Sequence, residues 1–545
     1  MNVKIIYILF FVTITNFQSS FSQPNYFEIS KNLEIFNNVF KELNTFYVDE
    51  TEPGKLIEKA IDSMLKELDP YTQFIPESEI EDFRFQTTGQ YGGIGSLIRK
   101  IGDYVIIAEP YKGFPADNSG LKIGDKIIQI DDIDMKNKNV EDVSKLLKGE
   151  PGKKVNILIE RLTEKNPELL NIEITREKIK ISSVPYHGMI EDYGYIKLSR
   201  FTRNCSNEVR LALLDLEAKN NVEGLILDLR GNPGGLLNEA IKLCNLFIEK
   251  NTIIVETKGR NSDWNKVYKT KASPHNTKMP IIILVDEGSA SASEIVAGTI
   301  QDLDRGLVIG KKTFGKGLVQ QTKKLNYNSQ LKLTVAKYYT PSGRCIQTIN
   351  YSNENKVVPD SLRTEFKTKN GRSVFDGGGI DPDINIENDS LPKIIYSLMQ
   401  EQLIFEFGNH YSASIKKINS PEYFTVSDKI YEEFINFINE KEFEFETLSE
   451  QKIKDLKEIL IFEGYDSEIN KSELITLLKQ EIRNLKQNDV RKYKKEISKL
   501  ILSDLIVRYY YNAGRIESLL KFDKTIGVAI QAIRNQEKYD AILIK

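Results

Sequence analysis

The 545-residue chain is poor in cysteine, histidine and tryptophan, with three, three and one of each. Cys205, Cys244 and Cys345 are an odd number at scattered spacings, which excludes a disulfide framework and a cysteine-based zinc site. Stability must therefore come from packed cores. The histidines give little scope for a histidine base: His187 ends a β-like run, His275 lies in the polar loop KASPHNTK, and His410 sits in a helical C-terminal stretch. A Ser-His-Asp arrangement is only weakly supported. A formal net charge of −3 offers no field that would gather nucleic acid. Lys and Arg in the C-terminal third alternate with Glu and Asp, the pattern of solvated helix faces. Long apolar runs are missing except at the start, where MNVKIIYILFFVTITNFQSSFSQPN combines Lys4, an apolar run from Ile5 to about Val12, and the small residues Ser20 and Ser22. That is the pattern of a signal peptide over residues 1–22, too short to cross a bilayer as a stable helix, and it predicts export.

What is present is organised in blocks. A chain of this length exceeds what one hydrophobic core supports, so several domains are expected. Residues 23–86 show helical apolar spacing, as in GKLIEKAIDSMLKELD. Residues 87–177 switch to short β runs between Gly-rich turns, with one helical stretch at VEDVSKLL. Residues 178–387 alternate strand and helix: YGYIKLS, NEVRLALLDLEAKN, VEGLILDLR, NEAIKLCNLFIE, PIIILVD, SASEIVAGTIQDL. Such alternation predicts an α/β layer with largely parallel strands and its site at their carboxyl ends. Residues 388–545 read as an appended helical domain, rich in Lys, Glu, Leu and Ile. The fold class expected is multidomain α+β.

Three segments carry chemistry. In LVDEGSASASEI a buried-type strand runs into a small-residue turn and a helix, leaving a serine hydroxyl beside free amides. Ser289, Ser291 and Ser293 compete for the nucleophile role, and helix capping or packing is the plain alternative. With histidine unpromising, the base left is a desolvated lysine. Lys316 in TFGKGLVQ, flanked by glycines and followed by a β-type run, fits that requirement, against the alternative of a surface lysine on an edge strand. On a strand, Lys316 and Gln320 point the same way, so the amide of Gln320 would orient the amine. In LDLRGNPGGLLNEA a strand ends at Arg230 and a Gly-rich turn exposes amides, with Gly235 and Ala292 the candidate oxyanion pair. Phosphate binding is the rival, but the GxGxxG and GxxxxGK[ST] spacings are absent.

Together YGGIG, DLRGNPGG, EGSASASEI, TFGKGLVQ, YYTPSGR and GGGIDPD, in this order, resemble the carboxyl-terminal processing (tail-specific) proteases, Ser/Lys endopeptidases of peptidase family S41 that carry a PDZ domain. The resemblance implies a protease core like the Clp protease and crotonase group with an inserted PDZ domain, an N-terminal helical cap and a C-terminal helical domain. It places the nucleophile on Ser291, the base on Lys316, the lysine-orienting glutamine on Gln320, the oxyanion amides on Gly235 and Ala292, and an acidic residue that supports activity in some members on Asp302. In the β-rich domain it assigns Gly92, Gly93 and Ile94 to binding of a peptide C-terminus, with the peptide added as a strand. Cys345 in SGRCIQ stands where a small hydroxyl residue is expected. The implied partners are proteins or peptides with apolar C-termini, with room for an adaptor and for a homodimer or higher oligomer. No metal or organic cofactor is expected, and the compartment is the periplasm or another extracytoplasmic space, at the membrane if the signal segment stays uncleaved. The rival functions are a catalytically inactive PDZ peptide-binding scaffold and, by fold analogy alone, an acyl-thioester enzyme.

Overall fold

The computed structural model describes residues 26–351, 356–387, 391–465 and 473–544, so the expected signal segment lies outside the described residues. The chain divides into two units, one ending at Phe74 and one beginning at Ile75. The first holds helices α1 (Tyr26–Phe46) and α2 (Pro53–Lys66). Pro53 opens α2, where its missing N–H costs no intrahelical bond. Beyond α2, the Asp69 carboxylate accepts the Tyr71 and Thr72 amides and fixes the turn.

The second unit begins with α3 (Ile80–Thr88), stopped by Gly89 in the left-handed conformation at φ +68°. Strand β1 (Gln90–Gly93) follows. The β-rich sheet then runs through β2 (Ser96–Ile101), β3 (Tyr104–Pro110), β4 (Lys126–Ile130), β5 (Lys154–Arg161) and β6 (Glu168–Thr175), all antiparallel. In β5 the fully buried Val155, Ile157 and Ile159 alternate with the less buried Lys154, Asn156, Leu158 and Glu160, the period-two pattern of a sheet with one face turned to the core. Helix α4 (Val140–Leu147), capped by Asn139 through the Asp142 amide, buries Val143 and Leu147 in one core with Val155, Ile157 and Ile159. The short strand β7 (Glu177–Lys180) returns to pair with β1.

The catalytic sheet consists of β8 (Tyr186–Ile190), β9 (Tyr193–Lys197), β10 (Gly224–Asp228), β12 (Ile281–Val285), β13 (Leu307–Gly310) and β16 (Ile384–Asn385), in that order. Only β8 runs antiparallel to its neighbour. Every residue of β10 and β12 is buried, as parallel strands covered on both faces require. On one face lie α5 (Cys205–Lys219), α6 (Leu237–Cys244) and α7 (Ala292–Asp302). A second sheet pairs β11 (Ile253–Lys258) and β14 (Leu318–Lys324) with β15 (Gln330–Tyr339).

The C-terminal region builds its own core from α8 (Leu403–Ser414), α9 (Asp428–Glu440) and the first part of α10 (Lys494–Leu520). It is not wholly an appended domain. Helix α10 breaks at Tyr511 (φ +57°, ψ −170°), and beyond the break Ile516 and Leu520 join the other face of the catalytic sheet. The final helices α11 (Lys524–Arg534) and α12 (Gln536–Ile544) cover that face. Ile526, Ala529, Ile530 and Ile533, at three- and four-residue spacing, pack on Tyr195, Ile226, Ile282, Leu284 and Ile309. A parallel sheet with two apolar faces needs a second helical layer, and the C-terminus supplies it. Among the described residues no helix is long and apolar enough to cross a membrane.

Candidate active site

Three loops meet at the carboxyl ends of the catalytic strands. The first follows β10 and runs from Gly231 to Gly235, the second joins β12 to α7, and the third spans Thr313–Gly317 ahead of β14. The first is docked on the second by the Asn232 carbonyl, which accepts the Ala290 amide at 3.0 Å and the Ser293 hydroxyl at 2.9 Å. The third is docked by the Phe314 amide, 3.1 Å from the Ser289 carbonyl.

The three serines separate by environment. Ser289 is fully buried and donates to the Leu229 carbonyl at 2.9 Å, and Ser293 is fully buried on Asn232. Ser291 alone of the three is partly exposed. It sits immediately before α7 with φ +56° and ψ −109°, a strained backbone for a residue with a side chain. Ala292 is the first helical residue, so its N–H is among those a helix leaves without an intrahelical acceptor. Across from it, Phe201 pairs with the glycine loop by donating its amide to the Gly234 carbonyl at 2.9 Å and accepting the Leu236 amide at 2.8 Å, which leaves the Gly235 N–H outside the pairing. The approach is so close that a Cβ on Gly234 would stand 2.9 Å from both the Ala292 nitrogen and the Ser291 Cβ. A Cβ on Gly235, at φ +143°, would stand 2.3 Å from the Phe201 carbonyl oxygen. Gly235→Ala is therefore expected to push the loop off Phe201 and, with Gly235 a candidate oxyanion donor, to lower kcat by about 100-fold, the scale for losing one such donor; steady-state cleavage assays check it.

Lys316 is half-buried between two buried glycines. It does not lie on a strand: β14 begins two residues later, at Leu318, because the glycines and the clamp described next hold 313–317 as a loop. Strand alternation therefore does not relate Lys316 to Gln320; the Gln320 side chain donates to the Thr334 hydroxyl at 3.2 Å across β14 and β15. The residue that brings the second and third loops together was not singled out from the sequence. The fully buried Glu294 carboxylate accepts the Ser291 amide at 2.7 Å, the Lys316 amide at 2.9 Å, the Gly315 amide at 2.7 Å and the Thr313 hydroxyl at 2.6 Å. Burial pushes its carboxyl up to about 7, against the pull of those four donors. From the other side, the Gly317 amide donates to Gln347 Oε1 at 2.7 Å and the Thr348 amide to the Gly315 carbonyl at 2.9 Å.

Asp302 closes the far end of α7, about 16 Å along the helix axis from Ser291 at 1.5 Å per residue. Sharing a helical face does not bring the two together. Its carboxylate forms a fully buried pair with Arg344 at 2.7 Å and accepts the Ser342 amide at 3.0 Å. It thereby fixes the loop that carries Gln347, whose side chain holds the amide next to Lys316. The histidines are engaged elsewhere: His187 with Asp215, His275 with Glu217, and His410 against the Phe437 ring.

In the β-rich domain, Gly92 and Gly93 lie within β1, paired with Lys178 and Glu177, and the Gly92 carbonyl accepts the Gly149 amide. Of the expected carboxylate-binding trio only Ile94 stands in the turn before β2, and its side chain is buried in the domain core. The turn proper is Ile94–Gly95, with Gly95 at φ +76°. The N–H groups of Ser96 and Gly95 lie against the Tyr91 hydroxyl, whose ring packs edge-on to Phe85 at 5.1 Å.

An α/β core with a strained serine at a strand-to-helix turn, an amide-bearing loop beside it and a separate β module defines a serine-type peptidase with a PDZ domain. Residues 192–363 match peptidase family S41, residues 106–161 match the PDZ domain, and residues 394–533 match the helical C-terminal domain described for probable PDZ-proteases. A carboxy-terminal-processing protease of Bartonella bacilliformis is 36% identical over 340 residues, covering 62% of this chain and 77% of that one. A probable CtpA-like serine protease of Staphylococcus haemolyticus is 32% identical over 426 residues, covering 77% and 84%. Among solved structures, the photosystem II D1 C-terminal processing protease is 27% identical with a TM-score of 0.35, covering 66% of this chain and 94% of that one. The chain belongs to the carboxy-terminal-processing protease family and is an enzyme, a serine-type peptidase.

Proposed function

We propose that the protein is an exported endopeptidase that takes its substrates by their C-terminal tails and cuts them with Ser291 and Lys316. Neutral Lys316 removes the Ser291 proton as Oγ attacks the peptide carbonyl, and the Gly235 and Ala292 amides hold the oxyanion. Lys316 returns the proton to the leaving amine, which gives an acyl-enzyme on Ser291. Water, deprotonated by Lys316, then releases the acid and restores the serine. Gln320 is proposed to orient the Lys316 amine, and Asp302 to support the base loop through Arg344. The observation that carries this reading is the Glu294 carboxylate, which holds the backbone amides of Ser291 and Lys316 on one oxygen. Two residues 25 apart in sequence are thus tied at one point, beside the only partly exposed serine of the run.

The PDZ domain is proposed to receive apolar C-termini at the turn after β1, with the peptide added as a strand. The signal-peptide pattern of residues 1–22 supports export of this chemistry from the cytoplasm. The test is active-site labelling with a fluorophosphonate followed by peptide mass spectrometry. A single adduct on Ser291, absent from Lys316→Ala at neutral pH, is expected. An adduct on Ser289 or Ser293, or peptide cleavage without any serine adduct, overturns the assignment. Full tail binding with neither adduct nor cleavage identifies the inactive scaffold instead.

A further inference from the structure

The oxyanion loop is held from behind by a charge cluster that the C-terminal extension completes. Arg230, the residue before Gly231, is gripped on three sides. Its amide and Nε meet Asp228 Oδ1 at 2.9 and 3.0 Å, and one terminal nitrogen meets Asp228 Oδ2 at 2.6 Å. Its carbonyl accepts the Lys197 ammonium at 2.6 Å. Its other terminal nitrogen reaches the Asp523 carboxylate at 2.8 Å. Lys197 and the Tyr195 hydroxyl also donate to Asp228, at 3.0 and 2.7 Å. Burial opposes the Asp228 charge, yet Lys197 and Arg230 pull its carboxyl down to about 2.

Within the catalytic core this cluster has two cations, Lys197 and Arg230, and one anion, Asp228. The second anion, Asp523, comes from the C-terminal region, where it also caps α11 by accepting the Thr525 and Ile526 amides at 2.9 and 3.3 Å. Both members of the Arg230–Asp523 pair are about four-fifths buried. Removing one partner of such a pair leaves the other charge poorly compensated, a larger disturbance than losing an exposed bridge. The disturbed group is contiguous with the loop that carries Gly235.

We infer that Asp523 is a positioning residue for the peptidase reaction: it fixes Arg230 and, through it, the oxyanion loop, so that the C-terminal region is part of the catalytic apparatus. This rests on the proposed role of Gly235 in holding the oxyanion. The mechanism acts on the transition state and not on substrate capture, so loss of Asp523 lowers kcat and leaves KM in place.

The experiment compares full-length wild type, Asp523→Asn, Asp523→Glu and Asp523→Ala for kcat, KM and thermal unfolding on an unfolded reporter protein, with Ser291→Ala as blank. Asparagine caps a helix as well as aspartate does, so Asp523→Asn keeps the α11 cap and removes only the charge on Arg230. The expected result is a kcat lowered about ten-fold in Asp523→Asn, with unchanged KM and a melting temperature within about 2 °C of wild type. Most of the activity should return in Asp523→Glu. A wild-type kcat in Asp523→Asn, beside an active wild type and an inactive Ser291→Ala, overturns this inference and leaves the proposed function standing. So does a loss confined to Asp523→Ala and proportional to its lowered melting temperature, which reports only the helix cap. Equal cleavage by wild type and Ser291→Ala overturns the proposed function, and this inference with it.

Discussion

Ser291→Ala is expected to leave the chain folded and to lower kcat by at least about 10⁴-fold, the scale on which peptidases lose a nucleophile. Folding should survive because the Ser291 amide carries the bond to the Glu294 carboxylate, and alanine keeps that amide. Losing a serine before a helix costs about 1 kcal/mol, small beside the buried cores on both faces of the catalytic sheet. Lys316→Ala should be as inactive, because the proposed base is lost, and as well folded, because the hydrogen bond from the residue-316 amide to Glu294 is retained. The effects should not add: under the proposed mechanism Ser291 and Lys316 act as a unit, so the double variant should match either single one. Single-turnover cleavage of an unfolded substrate, with circular dichroism of each variant, checks this.

The second large effect concerns Glu294. Its carboxyl ordinarily loses its proton near 4.5, and burial moves this to about 7. A carboxyl that holds its proton more tightly when folded stabilises the fold fully below the unfolded value, and that stability is lost as pH rises through the folded one. From 4.5 to about 7 corresponds to on the order of 3 kcal/mol, at about 1.4 kcal/mol per unit. The ionised form is nevertheless the one that accepts all four donors, so the clamp on Ser291 and Lys316 is complete only above about pH 7. Wild-type kcat/KM should therefore show an acid limb near pH 7, while stability relative to Glu294→Gln falls over the same interval. Glu294→Gln presents an NH₂ group where amides already donate, and about 100-fold less activity is expected of it with no limb of this origin. Denaturant titrations and pH–rate profiles of the two proteins between pH 4.5 and 8 check both signs.

Much of this was legible in the sequence. The alternation from YGYIKLS to GTIQDL encodes the parallel sheet because its strands are short, mostly apolar runs and its helices are longer. Glycines mark the loops because Gly234 and Gly235 stand where no side chain fits. Other features were hidden by the locality of sequence patterns. Glu294, three residues after a serine at a helix start, looks like an ordinary capping residue; only the fold brings Thr313, Gly315 and Lys316 to it. An amphipathic helix declares an apolar face but not its partner, so α11 and α12 read as part of the helical domain although they cover the catalytic sheet. The YGGIG run signals a tight loop without locating it, and strand pairing to β7 claims the first two glycines. Asp302 matched the helical period of Ser291, but periodicity gives direction around an axis and not distance along it.

The most direct measurement is cleavage of two unfolded reporters, identical except for an apolar or a charged C-terminal tail, by wild type, Ser291→Ala and Lys316→Ala. The proposed function requires that wild type cut the apolar-tailed reporter far faster than the charged one and that neither variant cut either. Equal cutting of both reporters by wild type would contradict recruitment by the tail, and sustained cutting by Ser291→Ala would contradict the site itself.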